Sequence, residues 1–158
     1  MIKVFRLLFL ILFLKGVANA APFLIENLDK NKINVVAFVT SWCPVCVDVT
    51  NFLEKFATQN KDLKITLVYV EEDKQLVSKD LTNVNIKQIT YAESQKFGVE
   101  KSVPYILIID KESKIVKKYH SFNQLLLTKL VKNLQQGLYE NGTLPPEQRI
   151  DLWQKNRF

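Results

Sequence analysis

The chain has 158 residues, enough for one ordinary domain and too few for two comfortable ones. Its net charge of +6 falls to +3 without Lys3, Arg6 and Lys15, because the first twenty residues hold no acid. The remaining basic residues are scattered and mostly lysine, which argues against nucleic acid as a partner. The only two cysteines, Cys43 and Cys46, sit in one place, which excludes a framework of disulfide bridges.

Residues 1–20 read as a secretory signal peptide. Lys3 and Arg6 give a basic start, Leu7 to Leu14 is an unbroken apolar run, and Ala18-Asn19-Ala20 is an A-x-A cleavage signature. Lys15 interrupts the run well short of the roughly 20 residues that a spanning helix needs. No cysteine stands at the cleavage point to carry a lipid, so the expectation is an exported protein starting at Ala21.

Pro22 to Lys32 is expected as a short opening helix over one edge of the core. Val35–Thr40 reads as the first strand, its lack of alternation indicating burial on both faces. A helix from Pro44 to about Gln59 follows, with Val47, Val49, Phe52, Leu53 and Phe56 at helical spacing. Ile65–Val70, rich in β-branched residues, is a second strand, which makes strand–helix–strand a crossover unit with a parallel pair. Leu76, Val77 and Leu81 allow a helical turn, and Val84-Asn85-Ile86 a brief extended piece.

Thr90-Tyr91-Ala92-Glu93 has capping-box spacing, and Gly98 stands where that helix should stop. Val99 leads through Ser102-Val103-Pro104 into a strand at Tyr105–Ile109, opened by a proline. Asp110 to Lys114 is a polar turn, and Ile115–Tyr119 pairs back as a hairpin. Ser121 and Gln124 give a second capping-box candidate. Phe122, Leu126, Leu130 and Leu134 recur every four residues, and Gly137 ends that helix. Residues 141–158 read as a tail in which Pro145-Pro146 can start a short helix that Ile150 and Trp153 dock on the domain, the alternative being a peptide that contacts a partner.

The chemistry concentrates at Val35 to Cys46: buried strand, tight turn, helix, with the first thiol at the turn. The unpaired N–H groups and dipole of a helix start favour negative charge, so a cysteine there ionises more readily. Pro44 fits the first helical position, where its missing N–H removes no hydrogen bond. Cys46 lies one turn on, close enough to attack a sulfur bonded to Cys43. As a structural staple the pair closes too small a loop to restrain the unfolded chain much. It reads as a working pair.

These residues, in this order, resemble the thioredoxin superfamily from about Asn34 to Leu138. Trp42-Cys43-Pro44-Val45-Cys46 is similar to its W-C-x-x-C site, and Phe97-Gly98-Val99 with Ser102-Val103-Pro104 to the segment leading to its cis-proline. Ile108-Ile109-Asp110-Lys111 and Lys114-Ile115-Val116 resemble the hairpin of exported TlpA/ResA-type members. The resemblance implies an α/β, thioredoxin-like fold over residues 21–140, with a central mixed sheet of about four strands flanked by helices. It implies that Cys43 is an exposed nucleophile and Cys46 the buried resolving thiol. Pro104 would lie against the pair, with the backbone at Val103 pairing with a substrate strand, while Trp42, Pro44 and Val45 offer it contact surface. No cofactor or metal is implied. The partners implied are protein thiols and disulfides, with a membrane thiol electron carrier as the source of electrons, and the implied location is the bacterial periplasm. Two features depart from the family pattern. Ala37 stands where thioredoxins carry a buried aspartate six residues before the first cysteine, and too few residues precede the first strand for the N-terminal hairpin of the TlpA/ResA group.

The leading reading is thiol–disulfide exchange with exported proteins. Proline after the first cysteine is shared with glutaredoxins, the oxidase DsbA and TlpA/ResA-type reductants, and the downstream hairpin tips the reading toward a reductant. A DsbA-like oxidase is the alternative. A copper- or zinc-binding module is a further one, since C-x-x-C can grip such a metal, although His120 is the only other nitrogen donor of its kind. A redox-inert binding domain would need neither both thiols nor Pro104. The sequence says nothing about oligomeric state.

Overall fold

The computed structural model describes residues 27–72, 81–99 and 102–138. The expected leader, residues 22–26 of the opening helix, Leu76, Val77 and the tail 141–158 lie outside the described residues.

The first strand, β1 (Ile33–Val39), begins two residues earlier than its apolar run suggested. Asn34 explains the extension. Its side chain is buried, accepts the Asp29 N–H at 2.8 Å, and donates to the carbonyls of Asp29 and Lys32 at 3.0 and 2.9 Å. A buried amide so satisfied costs little and lets the turn feed straight into the strand. Every residue of β1 is buried, as expected of a central strand. Helix α1 (Pro44–Gln59) turns Cys46, Val49, Leu53 and Phe56 inward, and Asn60 closes it by donating to the Phe56 carbonyl at 2.9 Å. β2 (Leu63–Val70) then runs parallel to β1.

β3 (Asn85–Ile89) is a fifth strand that widens the sheet beyond the expected four. It pairs in parallel with β2, and four of its five side chains are exposed or half-exposed, which is why so short an apolar signal understated it. At Thr90 the capping box forms in full. Thr90 Oγ1 accepts the Glu93 N–H at 3.2 Å, and a Glu93 carboxylate oxygen accepts the Thr90 N–H at 2.8 Å. This starts the short α2 (Tyr91–Ser94), continued by a 3-10 turn that ends on Gly98 at φ 78°, where a left-handed backbone favours glycine. β4 (Tyr105–Ile109) pairs antiparallel with β1 on its other side, and β5 (Ile115–Tyr119) completes the hairpin. Asp110 holds that turn by accepting the N–H groups of Glu112 and Lys114.

α3 (Gln124–Gln135) corrects one expectation. The cap is Asn123, whose Oδ1 accepts the Leu126 N–H at 3.0 Å, and not the Ser121–Gln124 pair. Its buried face is Leu127, Leu130 and Val131, while Phe122 lies ahead of the helix and packs its ring 5.4 Å from that of Phe52.

The sheet order is β3-β2-β1-β4-β5. One face, carrying Val35, Ala37, Leu67 and Ile108, packs against α1 and α3. The other, carrying Phe38, Val68 and Leu107, is covered by Phe97, Val99 and Leu28. Full burial of such side chains contributes roughly 1.5–3 kcal/mol each, so β1 is the strand on which both layers depend.

Candidate active site

Register brings the site together. Because β4 runs antiparallel to β1 with Phe38 opposite Tyr105, the loop leaving β1 and the segment entering β4 emerge at the same end of the sheet. Because β2 runs parallel to β1 with Val39 opposite Tyr69, the residue two past the end of that pairing, Glu71, falls beside Ser41. Residues sixty apart in the chain therefore meet at the carboxyl end of β1.

Cys43 is the N-cap of α1, in extended backbone at φ −91° and ψ 113°, and Pro44 occupies the first helical position. Its Sγ accepts the Cys46 N–H at 3.3 Å and lies 3.8 Å from the Val103 carbonyl oxygen, to which the thiol donates. The Val103–Pro104 peptide bond is cis. Both cysteines are free thiols. Cys43 is only 8 % exposed, which corrects the expectation of an exposed sulfur. Its side chain turns back over the start of the helix toward Val103.

Cys46 is 1 % exposed, and its thiol is pushed up to about 12 from an ordinary 9.0. Burial is the largest cause, because a thiolate in apolar surroundings loses its hydration, and the hydrogen bond with Cys43 adds to it. The backbone and hydroxyl of Thr40 pull the other way.

Around the pair the surface is apolar. Trp42 is 73 % exposed, so it does not serve as core packing, and Val45 and Val47 are each about half exposed. Pro44 is exposed, Val103 is half-buried and Pro104 is buried. A cavity of about 350 Å³ opens between Trp42, Glu71, Tyr91, Ser102 and Val103. A second, of about 290 Å³, is lined by Thr40, Ser41, Cys46, Thr50 and Tyr69.

The Redoxin family model matches residues 18–130, well over half of the chain. The chain belongs to the Redoxin family. This redoxin is accordingly a thioredoxin-like thiol–disulfide oxidoreductase, and the superfamily resemblance read from its motifs holds. Its fold is similar to that of a candidate thioredoxin from Neisseria meningitidis, at 21 % identity and TM-score 0.59 over 71 % of this chain and 80 % of that one. It is also similar to the exposed lipoprotein thioredoxin Etrx1 of Streptococcus pneumoniae, at 22 % identity and TM-score 0.56 over 72 % and 89 %. A secreted Mycobacterium tuberculosis disulfide oxidoreductase homologous to E. coli DsbE matches at 19 % and 0.54 over 65 % and 81 %. No curated protein matches the chain.

All seven residues singled out from the sequence (Trp42, Cys43, Pro44, Val45, Cys46, Val103, Pro104) lie on the two segments that meet here. Sequence reasoning missed two more. Glu71 is 8 % exposed, and its Oε1 accepts the Ser41 N–H, fixing the loop that carries Trp42 and Cys43. Thr40, 5 % exposed, contributes to both cavities. Only the parallel register of β1 and β2 could have pointed to Glu71. His120 packs its ring 4.9 Å from that of Tyr105. Among the described residues no cluster of three or more His, Cys, Asp or Glu could hold a metal ion, and no helix is long and apolar enough to cross a membrane.

Proposed function

We propose that this redoxin reduces disulfides of exported proteins through Cys43 and Cys46, in the manner of TlpA/ResA-type proteins. One observation carries the reading. The Cys43 sulfur stands at the mouth of α1, with the Cys46 N–H at 3.3 Å on one side and the Val103 carbonyl at 3.8 Å on the other. A substrate strand laid along Val103 and Pro104 meets that sulfur with its own disulfide, while Trp42, Pro44 and Val45 cover its apolar side chains. The nearly buried nucleophile is reached by a sulfur that an extended chain presents along Val103.

Exchange then runs in two displacements. The Cys43 thiolate attacks one substrate sulfur, a mixed disulfide forms, and the other substrate sulfur leaves as a thiolate. Cys46, as its thiolate, attacks Cys43 Sγ. The Cys43–Cys46 bond forms and the second substrate sulfur departs with the electron pair, so two electrons pass from the pair to the substrate. A membrane thiol electron carrier returns them.

Export rests on the expected leader, cleaved after Ala20 to leave a domain over residues 21–140 and a tail, and fits the secreted and exposed character of two fold neighbours. The periplasm is the compartment proposed. The reductant direction rests on the β4–β5 hairpin and its resemblance to the TlpA/ResA group.

Two assays test this. Insulin reduction by dithiothreitol speeds up on adding the protein, and a rate equal to buffer alone rejects exchange. Equilibration against glutathione gives a potential nearer thioredoxin's, about −270 mV, than DsbA's, about −120 mV. A value at the oxidising end makes the protein an oxidase.

A further inference from the structure

The resolving displacement needs Cys46 as a thiolate, and its burial opposes that. Ala37, buried and apolar, stands where thioredoxins carry a carboxylate six positions before the first cysteine, so the chain has no acid there. Cys46 is nearly closed to solvent yet lines the cavity of about 290 Å³, far more than the roughly 15 Å³ that one water requires. Thr40, immediately after β1, lines the same cavity, and its Oγ1 is buried with no hydrogen-bond partner among the described residues. Buried hydroxyls are nearly always paired, so an orphan calls for a reason. It lies against Cys46, where it favours the charged sulfur over the neutral one.

We propose that the Thr40 hydroxyl is a catalytic group of the resolving step, donating its O–H to the Cys46 sulfur as that sulfur becomes a thiolate. The inference rests on the exchange reaction proposed above. The Cys46 proton passes to water in the cavity, and the unpaired Thr40 hydroxyl turns its hydrogen onto Sγ without breaking another bond. The sulfur then attacks Cys43 Sγ of the mixed disulfide. The Cys43–Cys46 bond forms, and the substrate sulfur leaves with the electron pair and takes a proton from solvent. The other titratable groups facing Cys46 are Cys43 across the helix start and Tyr69 of β2. The described residues lining the cavity include no carboxylate, amine or imidazole. Thr50 and Asn51 of α1 supply further polar groups to the water that receives the proton.

Thr40→Val removes the hydroxyl and keeps the shape, and Thr40→Ser keeps the hydroxyl. Reduced protein is mixed with oxidised glutathione, quenched in acid at intervals from pH 6 to 9, and the Cys43–glutathione adduct is followed by mass. Thr40→Val forms the adduct at the wild-type rate and resolves it about tenfold more slowly near neutrality, the loss expected for one hydrogen bond to a charged group. Its pH–rate limb moves to more alkaline pH, and Thr40→Ser stays close to wild type. If Thr40→Val does not fold, Thr40→Ala carries the same expectation. Resolution by the hydroxyl-free variant at the wild-type rate and pH profile overturns the proposal, as does a Thr40→Ser variant slowed equally. Failure of Cys46→Ser to form any adduct strikes at the exchange reaction itself, so the two failures are distinguishable.

Discussion

Replacing Cys43 with serine leaves Cys46 as the protein's only thiol and isolates the effect of burial on it. In the native pair that thiol is raised from 9.0 to about 12, first by burial and then by its hydrogen bond and charge interaction with Cys43. A thiol of 9.0 is half ionised at pH 9, whereas one at 12 is ionised in about one molecule per thousand. The serine variant loses the Cys43 charge and keeps the burial, which is the largest cause, so Cys46 stays above 9.0 and is less than half ionised at pH 9. Thiolate absorbance at 240 nm, taken as the difference between this variant and the Cys43→Ser,Cys46→Ser double variant so that the five tyrosines cancel, is read from pH 7 to 12 in folded and urea-unfolded protein. The folded protein shows its step at higher pH than the unfolded chain. A stability effect of definite sign follows. The raised thiol binds its proton more tightly in the folded state, so its contribution is complete below pH 9 and is lost as pH rises toward 12. Coincident absorbance steps for folded and unfolded protein would refute the reasoning, and with it the assignment of Cys46 as the inner thiol.

Glu71→Ala removes the acceptor of the Ser41 N–H and lowers stability by about 1–3 kcal/mol in urea titration, while Glu71→Gln, which keeps an acceptor, loses less. Equal losses would mean that the charge, not the hydrogen bond, holds the loop. Trp42→Ala leaves the urea midpoint within about 0.5 kcal/mol because the ring is largely in solvent, yet it slows insulin reduction. A large stability loss would return Trp42 to the core. Gly98→Ala costs about 1–2 kcal/mol from its left-handed backbone alone, since the added Cβ meets Tyr105 Oη at an ordinary 3.5 Å.

What could be read from the sequence follows from how locally each feature is decided. The box at Thr90 and Glu93 was legible because both hydrogen bonds close within four residues, and Gly98 because few other residues tolerate φ 78°. The same spacing at Ser121 and Gln124 misled. There the helix phase is set by Leu127, Leu130 and Val131 seeking the core, which puts Asn123 at the cap. β3 reads in the sequence only as a brief extended piece because a single one of its five side chains is buried and its pairing with β2 is not local. At the site, the two cysteines and Pro104 announced themselves by motif. Glu71 and Thr40 did not, because a single acid after a strand acquires meaning only when register sets it beside Ser41, and a threonine only when its hydroxyl is found unpaired next to a thiol. The depth of Cys43 was misjudged for a related reason. Motif spacing says where a sulfur sits on a helix, not which way it turns.

The most direct test is to express Cys46→Ser in an exporting cell and recover the protein under acid quench. Covalent partners joined by a disulfide to Cys43, released by dithiothreitol and absent from the Cys43→Ser,Cys46→Ser double variant, are the predicted result. A Cys43 recovered wholly as free thiol, with no partner attached, would contradict the account.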